Sequence, residues 1–147
     1  MIINGLPLPP EFVISAQQGT FRRKQGSWQL RQDVDAWGLP LETDIAEVCE
    51  DEIRILAETN KLSRDFPPDG LDGLDGPDPC AGMAGFIPYI IDFSKVVCFG
   101  VGGENDPFCF DYRASENAPE IIWWEDAYWR RVAPDWTSFA ALFNLTE

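Results

Sequence analysis

Hydrophobic and polar positions follow two different periods along this chain, and the change of period divides it into parts. Leu8-Pro9-Pro10-Glu11-Phe12-Val13-Ile14-Ser15-Ala16 opens with prolines suited to a first helical turn, where their missing N–H groups have no partner to lose, and Gly19 is a natural stop. Trp28 and Leu30 alternate with polar neighbours and predict a short half-buried strand. Over residues 43–62, Ile45, Val48, Cys49, Ile53 and Leu56 recur at helical spacing. That spacing predicts a central helix with Thr43 or Asp44 as its cap and Glu47 in its first turn. Its other face carries Glu50, Asp51, Arg54, Glu58 and Lys61, the composition of a solvated surface.

From residue 86 the period becomes strand-like. The runs 86–93, 96–101, 108–112, 121–124 and 128–132 are β-branched or aromatic and are separated by turn residues, which predicts an antiparallel meander. Asp135 then stands as a helix cap before Trp136, Phe139, Ala140 and Phe143, whose spacing makes an apolar stripe able to cover one sheet face. The expected fold class is α+β. A single domain over residues 1–147 is expected to hold a mainly antiparallel sheet of about five to six strands, flanked by N-terminal, central and C-terminal helices. An acidic Gly/Pro/Asp loop is expected at about residues 66–85.

Composition narrows the function classes. The chain has 147 residues, 45% of them hydrophobic, with six tryptophans, enough for one core without disulfides or metal. Its net charge of −14 disfavours nucleic acid and anionic lipid as partners. Acidity is concentrated in residues 42–80, which hold three basic and twelve acidic side chains. Histidine is absent, which removes the commonest general base, the commonest zinc ligand and every Ser/His or Cys/His catalytic pair. Cys49, Cys80, Cys98 and Cys109 contain no CxxC pair, so buried reduced thiols are expected ahead of a disulfide or a metal site. Without a leader-like start or a long apolar run, the expected location is the cytoplasm.

Several motifs fall short of known sites. Asp69, Asp72, Asp75 and Asp78 recur every third residue, whereas a calcium loop places ligands at alternate positions and closes with a glutamate. The expected alternatives are a solvated loop or an acidic partner-binding loop. Gly100-Val101-Gly102-Gly103-Glu104 lacks the third glycine of a dinucleotide-binding turn and leads into a strand, so a hairpin connection is expected. No two carboxylates single themselves out as a glycosidase-like pair. Adjacent Trp123 and Trp124 must point to opposite sheet faces, leaving one available to a partner if the other is buried.

The order of these motifs resembles the SUKH superfamily, which includes fungal cell-wall-synthesis regulators and bacterial immunity proteins of toxin systems. The likeness spans roughly residues 6–143. It is carried by Leu8-Pro9-Pro10-Glu11-Phe12 with Gly19, by Ile87-Pro88, by Phe108-Cys109-Phe110-Asp111 and by Pro119-Glu120-Ile121-Ile122-Trp123-Trp124. Trp129-Arg130-Arg131-Val132-Ala133 and the closing Thr137-Ser138-Phe139 helix complete it. The proline-aspartate-glycine loop at 66–79 looks like an insertion. Asp111 and Trp124 fall on recognisable family positions and are read as structural. The resemblance implies no catalytic residue, cofactor or metal.

The expectation is therefore a non-enzymatic binding protein, an immunity protein whose partner is a basic protein such as a nuclease-type toxin domain. Asp69, Asp72, Asp75 and Asp78, with Glu50, Asp51 and Glu58, are the expected contact. A regulatory or scaffold domain of the same superfamily is the alternative, and a carboxylate-dependent hydrolase a weaker one. The lack of long flanking segments is expected of an immunity protein more than of a regulator.

Overall fold

The computed structural model describes residues 1–22, 26–66 and 80–145. Two short strands, β1 (Ile2–Ile3) and β2 (Leu6–Pro7), pair antiparallel and lead into helix α1 (Pro10–Gln17). Proline lies in its first turn, and the chain leaves it through Gly19 at φ +71°, a conformation that side-chain-bearing residues avoid. β3 (Trp28–Gln29) pairs with β4 (Asp44–Ile45) across a long excursion of the chain, and β5 (Glu47–Val48) follows at once. Helix α2 (Glu52–Asn60) runs into the short α3 (Leu62–Asp65). β6 (Phe86–Ile87), β7 (Val96–Val101), β8 (Pro107–Asp111), β9 (Glu120–Glu125) and β10 (Tyr128–Ala133) come next, and α4 (Trp136–Phe143) closes the described chain.

The main sheet has six strands in the order β5-β7-β8-β9-β10-β6, with every neighbouring pair antiparallel. The expected α+β class and antiparallel meander are present, and β7 to β10 are the meander itself. The run at 86–93 contributes only the two residues of β6.

The central helix differs from its expectation. Residues 44–48 form β4 and β5, and the helix begins only at Glu52, capped by Asp51, whose Oδ1 accepts from Arg54 N at 2.8 Å. The buried face is also rotated. Ile53 is 83% exposed and Leu56 39%, whereas Ile55, Thr59 and Leu62 are buried. The apolar positions at 45, 48 and 49 mimic a helical period because two consecutive strands each place one side chain inward.

Period-two alternation sends the sheet's side chains into two apolar clusters. One face buries Val97, Phe99, Phe108, Phe110, Ile121 and Trp123 under α1 and α4, with Phe12 and Phe139 at its centre. Phe12 makes edge contacts with Phe110 and Trp136 at ring distances of 5.3 and 5.0 Å. The other face buries Val96, Cys98, Cys109, Ile122 and Trp129 against Leu62, Ile90 and Phe93. Asp135 caps α4 as expected, its Oδ1 accepting from Ser138 N at 2.8 Å.

Where β5 ends, α2 takes over the protection of β7. Cys49 N donates to Phe99 O at 2.8 Å, and then Thr59 Oγ1 accepts from Cys98 N at 3.0 Å. A backbone donor at the sheet edge is thus satisfied by a helix side chain. Among the described residues, no helix is long and apolar enough to cross a membrane.

Candidate functional site: an acidic cleft

An open cleft of about 720 Å³ lies where three segments distant in sequence meet, with Phe66 from the end of α3 beside them. The first is the excursion between β3 and β4, the second the β7–β8 hairpin turn, and the third the β9–β10 turn. Seven carboxylates line it, Asp33, Glu42, Asp44, Glu104, Asp106, Glu125 and Asp126, and the described lining includes no lysine or arginine. Leu30, Phe66, Trp123 and Trp124 supply its apolar wall.

Each segment is fixed by its own sequence. In the β7–β8 turn, Gly102 N donates to Asp106 O at 2.8 Å and Asn105 N to Gly102 O at 3.2 Å, with Asn105 at φ 61°. The Asp106 carboxylate folds back over the turn, accepting from Glu104 N at 3.0 Å and from Trp123 Nε1. A Cβ at position 102 would overlap that carboxylate, which would have to shift off the turn to admit it. Asp44 Oδ1 accepts from Gly103 N at 3.1 Å, which joins β4 to the same turn.

The long excursion is held by a buried network. Asp35, fully buried at its side chain, receives Arg130 Nη2 at 2.7 Å, and the Arg130 side chain is only 2% exposed. The other Asp35 oxygen accepts from Trp37 N and Leu39 N at 2.8 and 3.0 Å, closing the tip of the excursion. Arg130 Nη1 donates to Pro40 O at 3.0 Å and to Glu125 Oε2 at 3.4 Å, and Tyr128 Oη donates to the same Glu125 oxygen at 2.6 Å. Burial, followed by this bond to Glu125, pushes the Tyr128 hydroxyl well above its ordinary value.

The seven acids therefore fall into two groups. Asp44, Asp106 and Glu125 are partly buried and held by hydrogen bonds from the fold. Asp33, Glu42, Glu104 and Asp126 are exposed and make no ion pair among the described residues. Their mutual repulsion stands uncompensated, so the cleft holds a negative potential that a cationic surface would relieve. Among the described residues, no group of three or more Cys, Asp or Glu side chains has the arrangement to hold a metal ion.

The residues expected at the contact lie elsewhere or outside the described chain. Asp69, Asp72, Asp75 and Asp78 are outside the described residues, while Phe66, three positions before Asp69, lines the cleft. Glu50, Asp51 and Glu58 are near α2 and are not part of the cleft. Asp51 is the helix cap, and Glu58 pairs with Arg54 at 3.2 Å and Lys61 at 3.0 Å. Glu50 stands 2.8 Å from Arg22 Nε.

Asp111 closes β8 and Trp124 lies on β9. Asp111 ends β8 by accepting from Arg113 N at 3.1 Å and from its guanidinium at 2.9 Å through both oxygens. Trp124 packs on Trp129 at 5.3 Å and on Phe66 at 5.5 Å. The paired tryptophans diverge as the strand period requires: Trp123 is buried over Phe108, and Trp124 remains partly exposed.

The described cysteines are all reduced, with Cys49, Cys98 and Cys109 buried. Burial pushes the Cys49 thiol up to about 12, with Cys98 and Glu47 adding to it, and raises Cys109 in the same direction. Comparison with protein families, with characterised proteins and with solved structures gives no match to this chain, so the cleft must be interpreted from its own chemistry.

Proposed function

We propose that this chain is a non-enzymatic protein-binding domain of SUKH type, an immunity protein that docks a basic toxin domain through the acidic cleft. The observation that carries this reading is the set of seven carboxylates around one cleft without a lysine or arginine in its described lining. Four of the seven are exposed and make no ion pair among the described residues, so they meet a cation without first losing a partner there. A cleft of one sign steers an oppositely charged partner and raises its association rate, an effect that falls with salt. Partly exposed Trp124 and Phe66 add flat apolar surface beside the acids, the combination that anchors protein interfaces. The order of elements supports the family resemblance: an opening Leu-Pro-Pro helix, an antiparallel meander and a closing helix after Asp135.

The test is capture from the source cell on the immobilised chain and, in parallel, on the Glu42→Lys/Glu104→Lys/Asp126→Lys variant. The expected result is one basic protein retained by the first, absent from the second and released by moderate salt. Its toxic activity should be blocked by stoichiometric addition of this chain. Equal retention on both resins removes the cleft as the contact. Retention of a host protein that has no toxic activity replaces the immunity reading with the scaffold one.

A further inference from the structure

The excursion between β3 and β4 ends in a closed turn whose own side chains the fold leaves in water. Its arms are joined by Leu41 N, which donates to Asp33 O at 3.1 Å, and by a bridge between Val34 and Pro40. From Asp35 to Leu39 every backbone N–H has an acceptor. Asp35 N donates to Leu39 O at 2.8 Å, Ala36 N to Val132 O at 3.0 Å and Gly38 N to Asp35 O at 3.1 Å, while Trp37 N and Leu39 N donate to the Asp35 carboxylate. Gly38 at φ 82° reverses the chain between them. The turn is thus set before any partner arrives.

The side chains at this tip are apolar and accessible. Trp37 is 49% exposed and Leu39 38%, and Trp37 is the most exposed of the six tryptophans. Fixing them there requires Asp35 and Arg130 to be buried together, an arrangement that returns little net stability once both charges have been desolvated. A buried ion pair spent on a rigid turn, with the tryptophan of that turn left outside, is explained by contact with another molecule. The surroundings give its sign. Residues 32–53 contain no lysine or arginine, and Asp33 and Glu42, exposed and without an ion pair among the described residues, stand one on each arm and also line the cleft. Arg130 connects tip and cleft, since it bonds to Asp35, to Pro40 O and to the cleft residue Glu125.

We propose that Trp37 and Leu39 are the apolar anchor of the docking surface, seated in a recess of the partner protein that is rimmed by lysine or arginine. The inference rests on the reading of a basic partner and divides the work between two parts of one surface. Cleft carboxylates act at a distance and set the rate of association, whereas the tip acts only in contact and sets the rate of dissociation. A tryptophan on a pre-formed turn loses little freedom on seating, which is the economy of a binding hot spot. A second copy of this chain, with its own net charge of −14, and an anionic membrane would both bring like charge to Asp33 and Glu42.

The probe is the basic protein that the immobilised chain retains from the source cell, purified and followed by stopped-flow association and by dissociation on a chip. Trp37→Ala should speed dissociation about tenfold or more and leave the association rate and its salt dependence unchanged, with Trp37→Phe recovering most of the loss. Its urea midpoint should match the parent's, because the bond from the backbone N–H of residue 37 to Asp35 is kept. In parallel, a benzophenone side chain at position 37 should cross-link to that same protein on illumination. Dissociation unaltered in Trp37→Ala, while the cleft variant still loses the protein, overturns the anchor and leaves the cleft reading standing. Faster dissociation in Trp37→Ala with full retention by the cleft variant has the opposite meaning: the tip is the contact and the cleft is not. A cross-link to a second copy of this chain overturns the proposed occupant, and retention of no basic protein by the parent overturns the anchor and the cleft reading together.

Discussion

Arg130 on β10 donates to Asp35, a residue 95 positions earlier in the chain, at 2.7 Å with both side chains essentially buried. This pair holds the excursion that carries Asp33 and Glu42 against the strand that carries the opposite rim of the cleft. Removing one member leaves the other charged and buried, a loss typically of about 3–5 kcal/mol. Asp35→Ala should exceed Asp35→Asn, because the asparagine oxygen can still accept from Trp37 N and Leu39 N. Urea midpoints of the two variants check the order. Equal midpoints to the parent would show that the pair contributes nothing to the fold.

The β7–β8 turn is predicted to depend on position 102. Gly102→Ala pushes the Asp106 carboxylate off Trp123 Nε1, because the new methyl occupies its place. A stability loss of about 1–3 kcal/mol is expected for the indole left unsatisfied. The tryptophan emission should shift as the Trp123 environment changes. Trp123→Phe removes the donor beforehand, so Gly102→Ala made in that background should produce a smaller emission change.

The proposed docking of a basic partner has two acidic groups as candidate contacts, and charge variants separate them. Neutralising Glu42, Glu104 and Asp126 should slow association at low salt by about tenfold or more and flatten its salt dependence. Neutralising Asp69, Asp72, Asp75 and Asp78 should have the smaller effect if the cleft is the docking surface. Stopped-flow association at several salt concentrations decides between them, and the reverse order would return the contact to the loop.

The buried thiols predict a loss of stability at alkaline pH. The fold holds the Cys49 thiol protonated, raising it from an ordinary 9.0 to about 12. Unfolded chain therefore releases its proton first. The thiol's contribution is complete below pH 9 and is lost as pH rises from about 9 towards 12, on the order of 1 kcal/mol per pH unit. Unfolding midpoints at pH 8 and pH 10.5 measure the loss, and Cys49→Ala should reduce it. A thiol reagent at pH 8 should modify Cys80, the one cysteine of intermediate exposure, well before the three buried ones.

The central helix shows where the sequence misleads. Ile45, Val48 and Cys49 fit a helical stripe as well as they fit β4 and β5, since each short strand buries one residue and the turn between them restores the spacing. Asp51 decided the boundary because its side chain reaches Arg54 N, but Thr43 and Asp44 were equally plausible caps by residue type.

The sequence by itself determined the meander from residue 96 to 133, the opening helix, the closing helix with its Asp135 cap, and the strong negative charge. Those features are written locally, in alternation, proline and aspartate placement, and composition. Only the tertiary structure decided which carboxylates share a surface. Asp33, Glu42, Glu104 and Asp126 are scattered over the chain, and no period connects them. They converge because the buried Asp35 and Arg130 pair and the Asp44 bond to Gly103 draw distant turns to one end of the sheet. Such pairings depend on side chains far apart in sequence finding each other in a low-dielectric interior, and that geometry exists only once the sheet has formed.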